Sequence, residues 1–454
     1  MPTTDCVAPI RLDVHPQRPI DITFDAPRIS TDGGLLLLRA LEGRLDLCQR
    51  IAALLPEPRD RRRVVHARLE QVRQRIFQIA LGYEDQSDAD RLRLDPLLQV
   101  ACDRLPDDDR GLSSQPTLSR LEHAVGARDV VRLQRLLEDD YVGSLPAATT
   151  VVVLDVDTTD DATYGEQPGS SFHGHYGHWI YFPLLVFDGE GRLASVRLRP
   201  GNAGSNRYAT PLLVRLVRKI KARFPAAMIV VRGDSSFGTA RLLEALEQLD
   251  RELGDVDYVL GLQGNARLLA EVAGPLAEVA ARRRHAADTT RMYTSLLYRA
   301  RSWSRSRFVV AKVEQLGDKP NPRFVVTSLN HVPPQMLYEN AYCGRGDAEN
   351  RIKDFKRALA ADRLSCTTYV ANAFRLLLHA FAYRLLDAFR REVHAVMPTL
   401  GHAQFDTLRL HLLKVAAFVR QSVRRIVVAL PRAFPLAALF RQLALRLATA
   451  PAAA

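Results

Sequence analysis

The stretch VVVLDVD (151–157) marks the point at which the residue pattern changes from helical to strand-like, and it decides the fold. Two further apolar runs follow it, WIYFPLLVF (179–187) and LASVRLRPG (193–201), which are separated by the turn sequence Asp-Gly-Glu-Gly. These three segments are predicted to be successive strands of a meander. Two more strands are predicted downstream, AMIVVRGD (227–234) and DYVLGL (257–262).

The order of the elements is three strands, a helix, a strand, a helix and a strand. The two helices are predicted at 211–224 and 240–253, where apolar residues recur at helical spacing. This order is that of the ribonuclease H-like architecture, in which the first and fourth strands lie side by side. We therefore predict an α/β (α+β) fold whose core brings together Asp157 and Asp234, at the ends of these two strands.

The rest of the chain is predicted to form parts that flank this core. The predicted ranges are 1–28 for an extended N-terminal arm, 29–148 for a helical domain with a basic face, 149–267 for the first part of the core, 268–330 for a β-rich insertion, and 331–454 for the second part of the core and the C-terminal helices. The basic face rests on arginines between apolar positions, a pattern that a solvated surface helix also gives.

Four polar residues share one spacing pattern ahead of the C-terminal helices. Tyr342, Arg345, Glu349 and Lys356 are separated by +3, +4 and +7. On a helix that advances about 100° per residue they fall within an arc of roughly 60°. A carboxylate flanked by two cations and a phenol suits a site for phosphate and metal, with Glu349 as the metal ligand and the two cations on phosphate.

Such a site needs more carboxylates, and the predicted strand ends supply them. Asp155 and Asp157 lie two apart in one strand and so point to the same face, and Asp234 ends another strand. Mg²⁺ takes oxygen ligands and keeps several waters, so Asp157, Asp234 and Glu349 are enough for two ions, with Mn²⁺ able to substitute. Taken singly, each aspartate could instead cap a turn or a helix, as Asp234 would ahead of the helix at 240–253.

The composition favours a nucleic-acid partner in a reducing compartment. The 454 residues carry a formal net charge of +12 with a pI near 9.7, and almost all the basic residues are arginine. Arginine binds phosphate through two N–H groups at once and stacks on bases, although an arginine-rich proteome gives the same bias. The five cysteines form no Cys-x-x-Cys pair, which argues against a disulfide framework or a zinc ribbon.

Neither an export signal nor a membrane partner is expected. The N-terminus, MPTTDCVAPIRLDVHPQRP, has acidic residues and prolines where a signal peptide has a basic start and an apolar core. No apolar run reaches about 18 residues without a charge, which is the length that a membrane span needs. We therefore expect a cytoplasmic protein.

Two further segments are candidates for contact with DNA. The run His173-Gly-His175-Tyr-Gly-His178 invites a zinc site, but no matching Cys or His partner follows, so a polar loop that could face DNA is favoured. Trp303 stands among several arginines and could stack on an unpaired base. An equally good interpretation places Trp303 on an edge strand, packed against the sheet.

Several motifs resemble those of a known family. The spacing Tyr342-x2-Arg345-x3-Glu349-x6-Lys356 looks like the YREK element of transposases in the wider IS4 group. The IS1380 family is the closer likeness over about residues 20–440. The motifs that carry it are STDGGLLLL (30–38), QRIFQIALGYEDQSDADRLRLDP (74–96), SSQPTLSRLE (113–122), LDVDTTDDATYGEQ (154–167), LRPGN (198–202) and VRGDSSF (231–237).

The resemblance implies a DDE transposase of an insertion sequence, with a ribonuclease H-like core, a helical N-terminal DNA-binding domain and a β-strand insertion. Its partners would be the terminal inverted repeats of the transposon and the target DNA, bound by a homodimer in the synaptic complex. The implied location is the nucleoid of a prokaryotic cell. The implied chemistry is cut-and-paste: water attacks at the transposon end, the freed 3′-hydroxyl forms a hairpin, and the opened end joins target DNA.

The resemblance also assigns roles to individual residues. The metal-binding acids would be Asp157, Asp234 and Glu349, and Asp155 would be a neighbour of the first ligand. The residues on the phosphates of the transposon end would be Tyr342, Arg345 and Lys356. Two other functions stay open from sequence alone: a DNA-binding repressor that has lost catalysis, and a ribonuclease H-like nuclease without strand transfer.

Overall fold

The computed structural model describes residues 10–12, 14, 16–23, 25–106, 109–204, 206–282, 290–316 and 319–449. The chain divides into two compact units. The first unit contains the described residues within 1–48, 60–118 and 388–454, and the second contains 49–59 and those within 119–387. This division differs from the predicted ranges, because residues 119–148 of the expected helical domain belong to the second unit and residues 388–454 to the first.

The strands of the described residues are β1 Ile10–Leu12, β2 Ile20–Ile22, β3 Ile29–Ser30, β4 Val151–Thr158, β5 Asp161–Ala162, β6 Ser171–His173, β7 His178–Tyr181, β8 Leu184–Asp188, β9 Leu193–Arg197, β10 Met228–Gly233, β11 Val256–Leu262, β12 Arg291–Tyr298, β13 Arg307–Leu316, β14 Lys319–Pro320, β15 Arg323–Thr327, β16 Ala417–Gln421 and β17 Ile426–Ala429.

The α-helices are α1 Leu35–Leu45, α2 Leu47–Leu54, α3 Arg68–Leu81, α4 Asp88–Leu92, α5 Pro96–Ala101, α6 Gln115–His123, α7 Ala127–Ser144, α8 Ala209–Arg223, α9 Ala240–Leu253, α10 Ala266–Glu271, α11 Ala273–Arg282, α12 Pro334–Met336, α13 Gly346–Lys353, α14 Tyr369–Val396, α15 Pro398–Gly401, α16 Phe405–Leu408 and α17 Ala437–Thr449. Short 3₁₀ turns span Arg61–Arg63 and Cys343–Arg345, and π-helical turns span Leu337–Tyr342, Asp354–Ala358 and Arg409–Leu413.

The central sheet of the second unit has the ribonuclease H-like strand order. Its strands run β12-β13-β15-β11-β10-β4-β8-β9. The meander β4, β8 and β9 is antiparallel, whereas β10 pairs parallel to β4 on the other side and β11 pairs parallel to β10. The predicted fold class is therefore confirmed, and the first and fourth strands of the core are neighbours as expected.

One face of this sheet is covered by helices. The apolar stripe of α8, which includes Leu212, Leu216 and Ile220, is buried in the same core as Leu154 of β4. Helix α7 packs there too, through Tyr141 and its neighbours, and it contacts β9. A long amphipathic helix must bury its apolar face, and the sheet offers that surface, which is why residues 119–148 belong to the second unit.

The predicted β-rich insertion forms strands, but these strands extend the central sheet. β15 pairs antiparallel to β11, β13 pairs with β15, and β12 forms the edge. Two helices that the sequence pattern did not predict, α10 and α11, precede these strands. Leu268 of α10 and Val279 of α11 are buried in the same core as the sheet. Backbone groups at the edge of β11 need partners, and the added strands supply them.

The first unit contains a small sheet that the sequence analysis missed. β16 pairs with β17 and with β3, where only helices were predicted for the C-terminal part of the chain. The glycines of the STDGG motif lie beside it: Gly33 N donates to Val415 O at 2.7 Å, and a Cβ on Gly34 would lie 2.0 Å from Leu412 O. No larger residue fits at Gly34.

The predicted N-terminal arm falls partly outside the described residues. Within 10–23, β1 and β2 form an exposed antiparallel pair, which agrees with extended backbone. Residues 1–9 lie outside the described part of the chain. Across the described residues, no helix combines the length and the apolar character that crossing a bilayer requires.

The packing of α7 can be tested at Glu138. This carboxylate is fully buried and accepts hydrogen bonds from Ser195 Oγ at 3.0 Å and from Arg215 Nε at 2.8 Å. Glu138→Ala is expected to lower the free energy of unfolding by about 2–4 kcal/mol, because it leaves Arg215 and Ser195 without their partner. Chemical denaturation measures the change. The control Asp139→Ala, on an exposed residue of the same helix, should change it by less than about 0.5 kcal/mol; equal losses in both variants would contradict the prediction.

Candidate active site

Two predicted site residues stand side by side at the ends of parallel strands. Gly233 of β10 pairs in register with Val156 of β4, so the next residues, Asp234 and Asp157, follow at the same edge. Neighbouring residues in register on parallel strands point to the same face of the sheet, so their carboxylates share one side. Asp234 Oδ1 accepts a hydrogen bond from Ser236 N at 2.9 Å, a turn contact of the kind considered as the alternative to a metal-binding role.

The carboxylate of Asp157 lies in a poorly solvated position. Its Oδ1 accepts from the N–H of Thr158 at 2.8 Å, and 15% of its side chain is exposed. Burial raises the pKa of Asp157 to about 6; the Thr158 N–H and Arg345 counteract this, whereas the charges of Asp234 and Glu349 add to it. The charges of both other acids therefore disfavour the ionised form of Asp157.

The segment that bears the other four candidates is helical but irregular. It begins with α12, passes through the π turn Leu337–Tyr342 and the 3₁₀ turn Cys343–Arg345, and continues as α13 and the π turn Asp354–Ala358. The prediction that one regular helix places all four residues within a common arc is therefore wrong, because these turns interrupt the α-helix. Glycines at 344 and 346 weaken regular helix formation, and π turns of this kind often occur at functional sites.

Arg345 contacts Asp157, and Tyr342 packs beside Arg345. Arg345 Nη1 lies 3.3 Å from Asp157 Oδ2, and the guanidinium carbon lies 5.8 Å from the centre of the Tyr342 ring. Burial raises the pKa of Tyr342; Arg345 lowers it, and the charge of Asp234 raises it further. A Cβ on Gly261 of β11 would lie 2.8 Å from the Tyr342 hydroxyl, so glycine leaves the room that this tyrosine occupies.

Lys356 points to the loop that follows β4. Its Nζ lies 3.0 Å from Asp160 Oδ1, and the other carboxylate oxygen of Asp160 lies 3.6 Å from His178 Nε2. Lys356 also lowers the pKa of the buried Asp161, which desolvation holds well above its usual range. Lys356 therefore neutralises an acidic loop beside the site in this structure.

Glu349 is the most exposed of the three predicted acids. Among the described residues, no three carboxylate, histidine or cysteine side chains are close enough together to hold a metal ion in this conformation. Arg345 occupies the space beside Asp157 Oδ2 where a cation would bind. The donor chemistry nevertheless fits a hard divalent cation, because Asp157, Asp234 and Glu349 all offer carboxylate oxygens.

The sequence analysis missed an ion pair that supports the site. Arg232 donates to both oxygens of Asp155, at 2.7 Å each, and its Nη1 donates to Ala341 O at 2.8 Å. Both side chains are buried, at 8% and 3% exposure. A Cβ on Gly344 would lie 2.8 Å from Arg232 Nη1. One arginine and one aspartate inside two neighbouring apolar strands were the signal that could have revealed this pair.

Trp303 does not lie at the site, and the prediction that it stacks on an unpaired base is wrong for this structure. Only 4% of the residue is exposed, so its faces are covered. Its ring packs edge-on to Tyr298 at 5.6 Å between centroids and lies 5.0 Å from the guanidinium of Arg307. Arg307 is itself held by Glu247, at 2.6 Å. The alternative interpretation is right about packing but wrong about the strand, because Trp303 lies in the connection between β12 and β13.

The histidine run forms a loop beside the acids. His173 ends β6 and His178 begins β7, and the ring of Tyr176 in the turn between them lies 5.0 Å from that of His173. Burial raises the pKa of Tyr176, and the charges of Asp160, Asp157 and Asp234 raise it further. His178 Nε2 lies 3.6 Å from Asp160 Oδ2 in the loop that follows β4, and among the described residues no three potential zinc ligands lie together.

A family model described as "Transposase DDE domain group 1" matches residues 12–452. The chain belongs to this transposase family. Among solved structures, a cryo-EM structure of the piggyBac transposase synaptic complex with hairpin DNA is similar over 84% of this chain and 80% of that chain, at 11% identity and a TM-score of 0.43. Among curated proteins there is no match.

As a member of the DDE transposase family, the protein is an enzyme that cleaves DNA and transfers strands, and DNA is its partner. Enzymes of this class use divalent metal ions. Metal-assisted phosphoryl transfer needs oxygen ligands that are held in place before the substrate arrives. In this structure the ends of β4 and β10 carry Asp157 and Asp234, and the irregular segment 337–358 carries Arg345 and Lys356.

The raised pKa of Asp157 predicts a pH-dependent cost of folding. Folding raises this pKa from 3.8 to about 6, so the stability that the protonated group contributes is fully present below about pH 4 and is lost as the pH rises through about 6. Asp157→Asn should therefore raise the free energy of unfolding at pH 8, measured in EDTA, by up to about 3 kcal/mol.

This gain should fall to about 0.5 kcal/mol near pH 4, where the aspartate is protonated in the folded state and about 40% protonated in the unfolded state. The control is Asp160→Asn, which breaks the ion pair with Lys356 and should give no gain at pH 8. Urea denaturation at the two pH values provides the comparison. A gain for Asp157→Asn that is the same at pH 4 and pH 8 would show that charge is not its cause.

Proposed function

We propose that this DDE transposase belongs to the IS1380 family of the IS4 group and moves an insertion sequence by cut-and-paste. One observation carries the proposal: Asp157 and Asp234 end neighbouring parallel strands, and the segment with Arg345 packs against Asp157. Ligands of α/β sheets bind at the carboxyl ends of parallel strands, where side chains from separate elements converge. The motifs quoted above, from STDGGLLLL to the YREK spacing, support the assignment to the family.

The proposed metal ligands are Asp157, Asp234 and Glu349. We propose Mg²⁺ as the cofactor, with two ions and with Mn²⁺ able to substitute. When bound, such ions activate the attacking hydroxyl and stabilise the charge on the leaving oxygen. Asp157 is suited to this role because burial and the charges of Asp234 and Glu349 disfavour its ionised form. A bound cation would offset both effects. Arg345 would then have to move from Asp157, and the phosphate of the DNA is the group that can accept it.

The cations and the phenol of the irregular segment are proposed to hold the DNA end. Arg345 can bind phosphate through two N–H groups, and Lys356 can bind it as a point charge. Both now contact carboxylates, Asp157 and Asp160, at 3.3 and 3.0 Å. Tyr342 can donate its hydroxyl proton to a phosphate oxygen while its ring stays packed beside Arg345. These contacts would position the scissile phosphate against the strand ends.

The proposed substrates are the terminal inverted repeats of the element and the target DNA. Second-strand cleavage through a hairpin, a homodimeric synaptic complex and a location at the prokaryotic nucleoid are part of the same proposal. A second candidate is a nuclease of the same fold that does not join DNA, because Arg345, Lys356 and the acids would serve hydrolysis equally well. Joined DNA products, as opposed to nicks alone, distinguish the two.

The assignment of Asp234 can be tested by removing its charge. Asp234→Asn keeps the side-chain shape and the turn contact with Ser236 N, but it removes a negatively charged ligand. Cleavage of a transposon-end duplex in Mg²⁺ should fall by at least about 10³-fold, because a carboxylate that holds the metal contributes several kcal/mol. Binding of the same duplex, measured by fluorescence anisotropy, should stay within about threefold of the native affinity, because phosphate contacts dominate affinity.

The matched control is Asp139→Asn, an exposed residue of α7 paired with Lys219, which should cleave at the native rate. Full cleavage by Asp234→Asn would remove it from the set of metal ligands. Binding without cleavage by the native chain, with an authentic end and Mg²⁺ present, would favour the repressor function instead.

A further inference from the structure

The C-terminal part of the chain has an unusual charge. Residues 407–454 contain no aspartate or glutamate. Their basic residues are Arg409, Lys414, Arg420, Arg424, Arg425, Arg432, Arg441 and Arg446. This charge of +8 is two thirds of the +12 of the whole chain, in about a tenth of its length. A segment with charges of one sign attracts a polyanion and repels other cations.

Three of these arginines lie on one hairpin. β16 and β17 are joined by a short turn, and the last cross-strand pair is Gln421 with Ile426. The turn is closed by Ser422 N, which donates to Arg425 O at 2.9 Å, and by Arg425 N, which donates to Ser422 Oγ at 3.2 Å. Arg420 follows the buried Val419 in β16, and Arg424 is in the turn. The tip therefore has a defined conformation before it meets any partner.

The base of the hairpin is fixed in the core of the first unit. Ala417 and Val419 are buried in a cluster with Leu97, and Val428 packs against it. By contrast, every residue from 420 to 425 is exposed. A rigid base with an exposed two-stranded tip is the shape that enters a groove of duplex DNA, since the major groove admits a two-stranded β-ribbon.

The arginines of the tip have no carboxylate partner among the described residues. Arg420 contacts only a ring, that of Phe418, at 5.5 Å. Other exposed arginines of the chain do pair with acids, for example Arg11 with Asp21 at 2.8 Å. Unpaired arginines are ready to bind phosphate without first breaking an ion pair.

The residue at the end of the tip is apolar. Val423 is fully exposed, at 107% of its reference area. Exposing an apolar side chain to water is unfavourable, so a polar residue is expected at a turn that contacts only solvent. Proteins that bend or clamp DNA place an apolar side chain at such a tip and bring it against the bases or the sugars.

We propose that the hairpin 417–429 is a DNA-binding element that enters a groove of the duplex, with Arg420, Arg424 and Arg425 on the phosphates and Val423 against the groove wall. The proposal rests on the proposed function, since it gives the transposase a contact with DNA that is separate from the catalytic residues and from the basic face of helical residues 29–148. Contacts to phosphates position DNA without reading its sequence.

The test is the salt dependence of DNA binding by the full chain in EDTA. The triple variant Arg420→Gln, Arg424→Gln, Arg425→Gln should bind a duplex with a slope of log affinity against log salt that is smaller by about 2–3, because each phosphate contact contributes about 0.9. The matched triple variant Arg241→Gln, Arg251→Gln, Arg301→Gln changes three exposed arginines of the second unit. It should leave the slope within about 0.5 of the native value. Equal slopes for the native chain and the hairpin variant, or equal losses in the two triple variants, would overturn the proposal.

The contribution of Val423 has its own readout. Val423→Ser should weaken binding by about 3- to 10-fold at every salt concentration, with the slope unchanged, because it removes an apolar contact and no charge. Native affinity in this variant would overturn the groove contact of Val423. As a folding control, the midpoint temperature of thermal unfolding of each variant should equal that of the native chain. A change of oligomeric state with an unchanged salt slope would identify a protein partner and overturn the proposal.

The outcome is separable from that of the proposed function. The control triple variant at 241, 251 and 301 should cleave at the native rate, whereas the hairpin triple variant should cleave more slowly when DNA is limiting, because it binds DNA more weakly. If the native chain binds DNA through the hairpin but cannot cleave, the proposed function fails and the hairpin proposal stands. If the hairpin triple variant binds DNA with the native salt slope while the native chain cleaves DNA, the hairpin proposal fails and the proposed function stands.

Discussion

The buried ion pair between Asp155 and Arg232 is the interaction on which the rest of the site depends. It joins β4 to β10 and, through Ala341 O, joins both strands to the irregular segment. In a poorly solvated interior neither charge can be left without the other, so the two strands and the segment are held in one arrangement. Asp157 and Asp234 stand two residues beyond the members of this pair, which places their carboxylates as a consequence.

The carboxylates beyond this pair repel one another. Asp157 is buried beside two other acids, which raises its pKa to about 6, and Arg345 offsets only part of the repulsion. Lys356 similarly neutralises Asp160. Such a group of charges is destabilising for the chain alone, and in the proposed function metal cations and DNA phosphates would relieve the repulsion. Arg345 contacts Asp157 within β4, whereas Lys356 contacts Asp160 in the loop that follows this strand.

Much of the core and of the candidate site could be predicted from local patterns, and the exceptions share a cause. The strands at 151–157 and 227–234 and the acids at their ends follow from short apolar runs that stop at aspartate. Trp303 could not be placed, because its burial depends on Tyr298 and Arg307, which meet it only in the folded sheet. The strands β16 and β17 were missed because short apolar runs fit a helix and a strand equally well.

The sequence by itself determined the order of strands and helices in the core, the excess of positive charge, and the presence of Asp157 and Asp234 at one edge of the sheet. These follow from side-chain periodicity and residue type, which are local properties. Only the tertiary structure decided the pairing of Asp155 with Arg232, the irregular turns around Tyr342, the division into two units and the exposed hairpin 417–429. Each of these depends on which distant segments exclude water from one another, and no local pattern contains that information.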